Sequence, residues 1–343
     1  MKKAVKFLTC AYLIVILMIA FDTIASEIRT ALKMWAKILL PSLFPYLVLS
    51  QYISTSGVLG IFSPIEKFIA KLFNISPCSS AVYICSLFSG YPSGAVCTSE
   101  LYRGGCIDKE EAERLACFTN NAGPLFLISA VGGCMLNCTK DGIAIYCIQS
   151  MSAFMTAVVM GAKAKKVMAH NHAKKASAKP LTKCCQDSVS TMLAIGGYVV
   201  MSAALGAIAA TSIERLFPYS VIWSEEIKGA IYFCLEISNA MNAISSFGNT
   251  PLVFAIICAS ASWGGLSVIM QIGGALPEEF SRKKIIITRA VQSLVSFVAG
   301  YVYKNLPHYC YAVSGNKALI VSLVICAIVF GAYMTTKRKS YPA

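Results

Sequence analysis

"GPLFLISAVGG", Gly123 to Gly133, aligns without gaps against "GGLSVIMQIGG", Gly264 to Gly274. A second pair follows: "IQSMSAF" (Ile148 to Phe154) against "VQSLVSF" (Val291 to Phe297), sharing Gln149/Gln292, Ser150/Ser293 and Phe154/Phe297. Working outward, residues 31–161 hold four apolar segments in a row and residues 188–303 hold four more. Duplicated membrane segments interrupted by Gly and Pro are the sequence signature of a transporter, because alternating access needs two pseudo-symmetric halves around one site.

Composition agrees with a membrane chain. Of 343 residues, 57% are hydrophobic and 13% charged, too few charges to coat a soluble protein of this size. Several apolar stretches reach about 20 residues, the length that spans a bilayer as a helix. The fold class expected is an all-α polytopic membrane protein with no soluble domain, because the linkers are too short for one. The net charge of +14 says less than its placement. Seven lysines fall between Lys163 and Lys183, with Asp187 as the nearby acid; Lys2, Lys3 and Lys6 precede the first apolar segment, and Lys337, Arg338 and Lys339 follow the last. Such clusters lie on the cytoplasmic side and set topology. Without interleaved aromatics they do not describe a nucleic-acid surface; attraction of an anionic substrate or anionic lipid stays open. The 15 cysteines form no CxxC pair. Most, such as Cys85, Cys147, Cys234, Cys258 and Cys326, lie in apolar segments, where Cys behaves as a small hydrophobe. Neither a metal nor a cofactor is expected. Met1 to Phe21 has the basic start and apolar run of a signal peptide, but Thr23-Ile24-Ala25 is a poor cleavage site, so an uncleaved first helix is expected.

The segments are a first helix at 5–21, repeat A at 31–53, 80–99, 114–136 and 142–161, repeat B at 188–211, 229–246, 250–274 and 285–303, and a last helix at 317–336. If all crossed, the lysine loop would lie outside, against the positive-inside rule. One re-entrant segment per repeat repairs this. The plan expected is two inverted repeats, about 8 spanning helices plus 2 re-entrant hairpins, with both termini cytoplasmic. Residues 1–30 form the N-terminal helix, 31–161 repeat A, 162–187 a basic cytoplasmic linker, 188–303 repeat B, and 304–343 the last helix and tail. The re-entrant segments expected are 80–99, with Ser89-Gly90-Tyr91-Pro92-Ser93-Gly94 at its centre, and 229–246, with Ser238, Asn239, Asn242 and Ser245. Gly and Pro interrupt a helix there, and broken backbone at membrane depth survives only if buried or facing a wet cavity. An ordinary proline kink is the alternative.

Asn120-Asn121-Ala122-Gly123-Pro124 and its counterpart Ser262-Trp263-Gly264-Gly265 place a polar cluster near the midplane. It serves either binding or interhelical hydrogen bonding. Glu236, in "YFCLEISNAMNAIS", is a carboxylate at depth, which costs roughly 2.5–3.5 kcal/mol on insertion scales and normally faces a cavity and a partner. It would take a proton, coordinate a cation, or hold a hairpin tip through backbone hydrogen bonds; in a shallow segment it would be merely interfacial. Leu87 holds the matching place in repeat A. Pro41 and Pro45 are expected to break segment 31–53, with Gly196-Gly197 breaking its counterpart, leaving half-helix N-termini that suit anions. Ser267 and Gln271, one turn apart, add polarity. "RGGCIDKEEAER" (Arg103 to Arg114) reads as a solvated cytoplasmic helix start, with Asp108-Lys109-Glu110-Glu111 as its first turn. The histidines, His170, His172 and His308, fall in loops, and there is no HExxH, P-loop or GxSxG, so an enzyme is not expected.

"LPSLFPYLVLS" (Leu40 to Ser50), "SGYPSGA" (Ser89 to Ala95), "EEAERLACFTNNAGPLF" (Glu110 to Phe126), "EISNAMNAIS" (Glu236 to Ser245) and "SWGGLSVIMQ" (Ser262 to Gln271) together resemble the YlbJ-type sporulation integral membrane proteins of endospore formers. These are similar to the wider nucleoside-recognition (Gate) group. The resemblance runs over roughly residues 30–305. It implies transport during sporulation: dipicolinate moved from the mother cell across the outer forespore membrane. A nucleoside or nucleobase carrier and a non-transporting sporulation scaffold are the alternatives. The partners implied are a small anionic substrate and the lipid bilayer, with a homo-oligomer or other sporulation membrane proteins beside them. The candidate substrate-binding residues are Ser89, Gly90, Tyr91, Pro92, Asn120, Asn121, Gly123, Pro124, Glu236, Ser238, Asn239, Ser262, Trp263, Gly264, Gly265 and Gln271. Asn120 and Asn121 suit carboxylates, and Tyr91 or Trp263 suits a pyridine ring.

Overall fold

Helix α14 (Arg282–Asn305) carries its polarity inside out. Ile287, Val291, Leu294, Val298 and Val302 recur every three or four residues and, with Ile286 beside them, are all at least 40% exposed, while Arg289, Gln292, Ser293 and Ser296 on the opposite face are buried. In water this pattern would be reversed. It is what a helix shows when its solvent is lipid and its neighbours are other helices.

The computed structural model describes residues 2–56, 63–165, 179–216 and 224–305, and these contain helices and no strands. The N-terminal part comprises α1 (Lys2–Ile19), α2 (Phe21–Met34), a π-helical turn Trp35–Leu39, and α3 (Leu40–Ser56). Then follow α4 (Ser63–Phe73), α5 (Pro77–Ser89), α6 (Ser93–Arg103), α7 (Lys109–Ala116), a π-helical segment Phe126–Met135, and α8 (Thr139–Lys163). After the basic linker come α9 (Leu181–Leu216), α10 (Ser224–Leu235), α11 (Ile237–Ser245), α12 (Pro251–Trp263), α13 (Gly265–Ala275) and α14.

Among the described residues, four spans are long and apolar enough to cross a membrane: α8, α9, α12–α13 taken together, and α14. Two bent pairs, α1 with Phe21–Leu39 at 90° and α4 with α5 at 100°, raise the number to six. The expected count of about eight includes a last helix that lies outside the described residues, and the expected spans 31–53 and 114–136 hold only the short apolar helices Leu43–Ile53 and Phe126–Met135. In the two segments expected to be re-entrant, the 11 residues of α6 and the 9 of α11 reach only about 14–17 Å at 1.5 Å per residue, half a hydrocarbon core. The expected last helix, the basic tail, the centre of the lysine loop and all three histidines lie outside the described residues.

Two expected breaks are absent. The helix continues through Pro41 and Pro45 to Ser56, with the π-helical turn just ahead of Pro41; local π geometry is one way a membrane helix accommodates proline. Its counterpart α9 runs unbroken through Gly196-Gly197. There the indole of Trp35 lies so close that a Cβ on Gly196 would fall 2.8 Å from it, and Trp35 Nε1 donates to the Met192 carbonyl at 3.2 Å. Glycine at 196 serves helix contact, not interruption.

The charged stretch before α7 is solvated only in its first residues. Asp108 caps the helix, accepting from Glu111 N at 2.7 Å, and Asp108, Lys109 and Glu110 are exposed. Glu111, Glu113 and Arg114 are buried. Glu111 accepts from Ser76 N and from Ser79 Oγ, both at 2.6 Å, and so caps α5. Arg114 Nη2 donates to Asn74 O at 3.1 Å. Glu113 accepts from Ser281 N at 3.1 Å and pairs with Lys284. Partial burial alone would raise its carboxyl, but the Lys284 ammonium and the Ser281 amide outweigh it and hold the group below the usual range. Sequence periodicity cannot see these contacts, because the partners come from other segments.

These bonds sort the helix ends. Asn74 Nδ2 also donates to Ala164 O and Lys165 O, just beyond α8, so the basic linker, Glu113 and the start of α14 share one end of the bundle. At the other end Asp141, in the first turn of α8, pairs with Lys304 at 2.7 Å and accepts from Asn249 Nδ2 at 2.6 Å. Midway, Ser152 Oγ donates to Gln292 O at 3.1 Å. Helices α8 and α14 therefore run antiparallel. Between them and α9, the α12–α13 span is the innermost: 72% of its apolar window is buried, against 39% for α14.

Candidate functional site

Four interruptions converge inside the bundle. After α5, Gly90 takes φ 75° and is followed by a cis Tyr91–Pro92 bond before α6 begins. After α7 the chain leaves helix over 117–123. Helix α10 gives way to α11 at Glu236, which is extended. Helix α12 gives way to α13 at Gly264 and Gly265, with φ 78° and 81°. Within each half the two breaks touch. A Cβ on Gly90 would lie 3.3 Å from Gly123 N, and a Cβ on Gly265 would lie 2.6 Å from the Leu235 carbonyl carbon and 2.7 Å from Glu236 N. The breaks pair Glu236 with Gly90–Pro92; Leu87, its expected counterpart, lies within α5, half-buried.

Glu236 is 2% exposed. Its Oε1 accepts from Ser238 N at 3.0 Å and its Oε2 from Asn239 N at 2.8 Å. This is N-capping: the first amides of a helix lack intrahelical acceptors, and a side-chain oxygen supplies them. Of the roles open from sequence, holding the tip through backbone hydrogen bonds is the one these contacts perform.

At the crossing lies a cavity of about 30 Å³ whose walls include Tyr91, Gly123, Phe126, Glu236, Ser238 and Gln271. That volume is on the order of one or two waters. Both halves of the chain contribute to it. On the Lys179 side a larger vestibule of about 300 Å³ lies between α6, α9 and α13, with Pro92, Val96, Ser190, Thr191 and Tyr198 in its wall. Its size falls at the lower end of small-molecule sites. Ile195 and Gln271 belong to both spaces and form the partition between them. Gln271 Nε2 donates to Ser267 Oγ at 3.1 Å, so the expected polar turn on α13 is formed. At the rim of the bundle Lys179 bridges Glu100 at 2.5 Å and Asp187 at 3.2 Å. Partial burial is outweighed by these two carboxylates, which raise the Lys179 ammonium above its ordinary value.

Other candidates surround the crossing without lining the cavity. Asn120 Oδ1 accepts from Ala95 N at 2.9 Å and its Nδ2 donates to Ala116 O at 2.9 Å, tying α6 to the end of α7. Asn121 Nδ2 donates to Phe118 O at 3.0 Å. Asn120 thus satisfies two helix ends and Asn121 the unwound chain at Phe118. Ser89 and Ser93 bond to each other across the first break. Ser262 Oγ lies 2.6 Å from Ser296 Oγ. Trp263 is half-buried, and Asn239 gives its amide to Glu236. Pro124 opens the helical turn that leads into Phe126–Met135. The repeat-matched glutamines both serve the unwound chain of the first half: Gln149 Nε2 donates to Ala122 O at 3.2 Å and Gln292 Nε2 to Cys117 O at 3.1 Å.

One residue escaped the sequence reading. Arg289 is 2% exposed, on the inward face of α14. Its Nη1 donates to Ser262 O at 2.9 Å, and its guanidinium lies 5.2 Å from the centre of the Tyr91 ring. Tyr91 in turn donates to Ala261 O at 2.9 Å, crossing from one half to the other. The available signal was a lone arginine inside "IIITRAVQSLVSF", since ionisable residues at such depth face a bundle interior.

The chain is 26% identical to the sporulation integral membrane protein YlbJ of Bacillus subtilis over 305 residues, 79% of this chain and 75% of that protein. No family model matches the chain, and no solved structure matches it. The similarity and the apolar helices agree on an integral membrane protein.

Proposed function

We propose that this chain, similar over most of its length to the sporulation integral membrane protein YlbJ, transports a small organic anion, dipicolinate, from the mother cell across the outer forespore membrane. The observation that carries this reading is the crossing itself. Two pairs of broken segments, one from each half of the chain, meet around one small cavity. Discontinuous helices around a central site are how secondary transporters expose backbone polarity to cargo. The antiparallel course of α8 and α14 is what an inverted arrangement of the halves requires.

The vestibule approaches the cavity from the side of the basic linker, which the positive-inside rule puts in the cytoplasm. An anion leaving the mother cell would enter there and meet the Ile195–Gln271 partition. If that side is electrically negative, each charge moved outward gains about 2.3 kcal/mol per 100 mV, so a dianion needs no coupled ion.

The test is uptake of labelled dipicolinate into proteoliposomes of purified protein, with uridine and adenosine as competitors. Saturable uptake that neither nucleoside competes is expected. Uptake of nucleosides alone would replace dipicolinate with the nucleoside reading. No uptake of either by folded protein would refute transport and favour a scaffold.

A further inference from the structure

Arg289 holds a positive charge in the bundle interior, and it forms no ion pair among the described residues. One of its nitrogens, Nη1, is met by the Ser262 carbonyl. The other two, Nε and Nη2, are buried with no hydrogen-bond partner among the described residues. Those two form one edge of the guanidinium fork, the edge that takes a carboxylate side-on through two parallel hydrogen bonds. Glu236, which shares the cavity wall with Tyr91, spends both oxygens on the cap of α11. A buried cation needs a counter-charge to persist in a low-dielectric interior, and no described residue supplies one.

Tyr91 stands between this charge and the central cavity. Its ring lies over the guanidinium, and the same side chain is part of the cavity wall. It sits at the break between α5 and α6, and its hydroxyl is latched to the Ala261 carbonyl on the other half. Gln292, one turn beyond Arg289, ties α14 to the unwound chain at Cys117, so the arginine is fixed while its cover stands on the break.

We infer that Arg289 is the anion-binding residue of the transport path, holding a carboxylate of the cargo through Nε and Nη2 once the Tyr91 latch releases. This rests on the organic-anion reading and narrows it to carboxylates, with aromatic carboxylates preferred because Tyr91 offers a ring face beside the charge. A neutral ligand of the same shape lacks the charge that would draw it into place.

The experiment is a binding titration of the purified full chain at low salt, read by thermal stabilisation, with dipicolinate and its uncharged diamide as probes. Wild type is expected to bind dipicolinate and not the diamide. Arg289→Gln is expected to weaken dipicolinate by about tenfold or more, and Arg289→Lys, which keeps the charge but loses the fork, by less. Tyr91→Phe keeps the ring and frees the latch, so it is expected to bind dipicolinate at least as tightly as wild type. Unchanged affinity in folded Arg289→Gln would overturn the assignment and leave the anion reading standing. If that variant does not fold, unchanged affinity in Arg289→Lys together with weaker binding in Tyr91→Phe would overturn it. Failure of wild type to bind dipicolinate at all would remove the anion reading, and this inference with it.

Discussion

Replacing Gly265 by alanine tests the crossing of broken helices directly. Gly265 has φ 81°, a left-handed conformation that costs an L-residue about 1–2 kcal/mol. An added Cβ would also lie 2.6 Å from the Leu235 carbonyl carbon and 2.7 Å from Glu236 N. These are backbone atoms held by the cap of α11, so they yield only by moving the break; overpacking of this kind costs about 1–3 kcal/mol. The expected loss for Gly265→Ala is therefore about 2–5 kcal/mol. Gly105 provides the control: its φ is 70°, but nothing lies within 4 Å of its Cβ position. Gly105→Ala should show the conformational cost alone. Gly197, inside α9 with open space around it, should tolerate alanine or gain slightly from it. Thermal unfolding of the purified variants in detergent should rank Gly197→Ala at or above wild type, Gly105→Ala below it, and Gly265→Ala lowest. Equal losses in Gly265→Ala and Gly105→Ala would refute the close approach of the two breaks.

Other contacts give separate predictions. Glu236→Ala removes both cap bonds of α11 and should cost about 1–2 kcal/mol, with Glu236→Gln intermediate; an alanine variant as heat-stable as wild type would rule out the capping role. Asp141 and Lys304 join the start of α8 to the end of α14, so a double-mutant cycle with Asp141→Asn and Lys304→Met should show a coupling of about 1–3 kcal/mol; additive losses would mean that the pair carries no linkage. Glu113 has its carboxyl held below the ordinary value of 4.5. A depressed carboxylate contributes stability that is complete above the unfolded value and is lost as pH falls through the folded one. Acidification below about pH 4.5 should therefore destabilise wild type more steeply than Glu113→Gln, as followed by unfolding midpoints from pH 6 to 3; parallel curves would remove the linkage to Lys284.

Much of the organisation was legible because it acts locally. Apolar runs announce membrane helices wherever they end up, and the doubled motifs around Gly123 and Gly264 mark matching places in the two halves. The interruption at Gly90–Pro92 could be read because glycine and proline act on their own backbone, whereas Ser262 to Gly265 showed in sequence only as a polar cluster. The same residue types misled at Pro41, Pro45 and Gly196-Gly197, where the helices continue: a glycine that ends a helix and one that admits a neighbouring indole look alike in sequence. Asn120, Asn121 and Glu236 were visible as costly polar groups at depth. Only the tertiary structure decided that they satisfy unwound backbone and helix ends. Arg289 sits within two turns of the basic run Arg282, Lys283 and Lys284 that opens α14. It became a buried charge because α14 turns that face toward Ser262 and Tyr91, 27 and 198 residues away along the chain. Periodicity and breaks belong to each segment alone. Which breaks meet, and which charge is left without a counter-charge among the described residues, depends on packing between segments far apart in sequence.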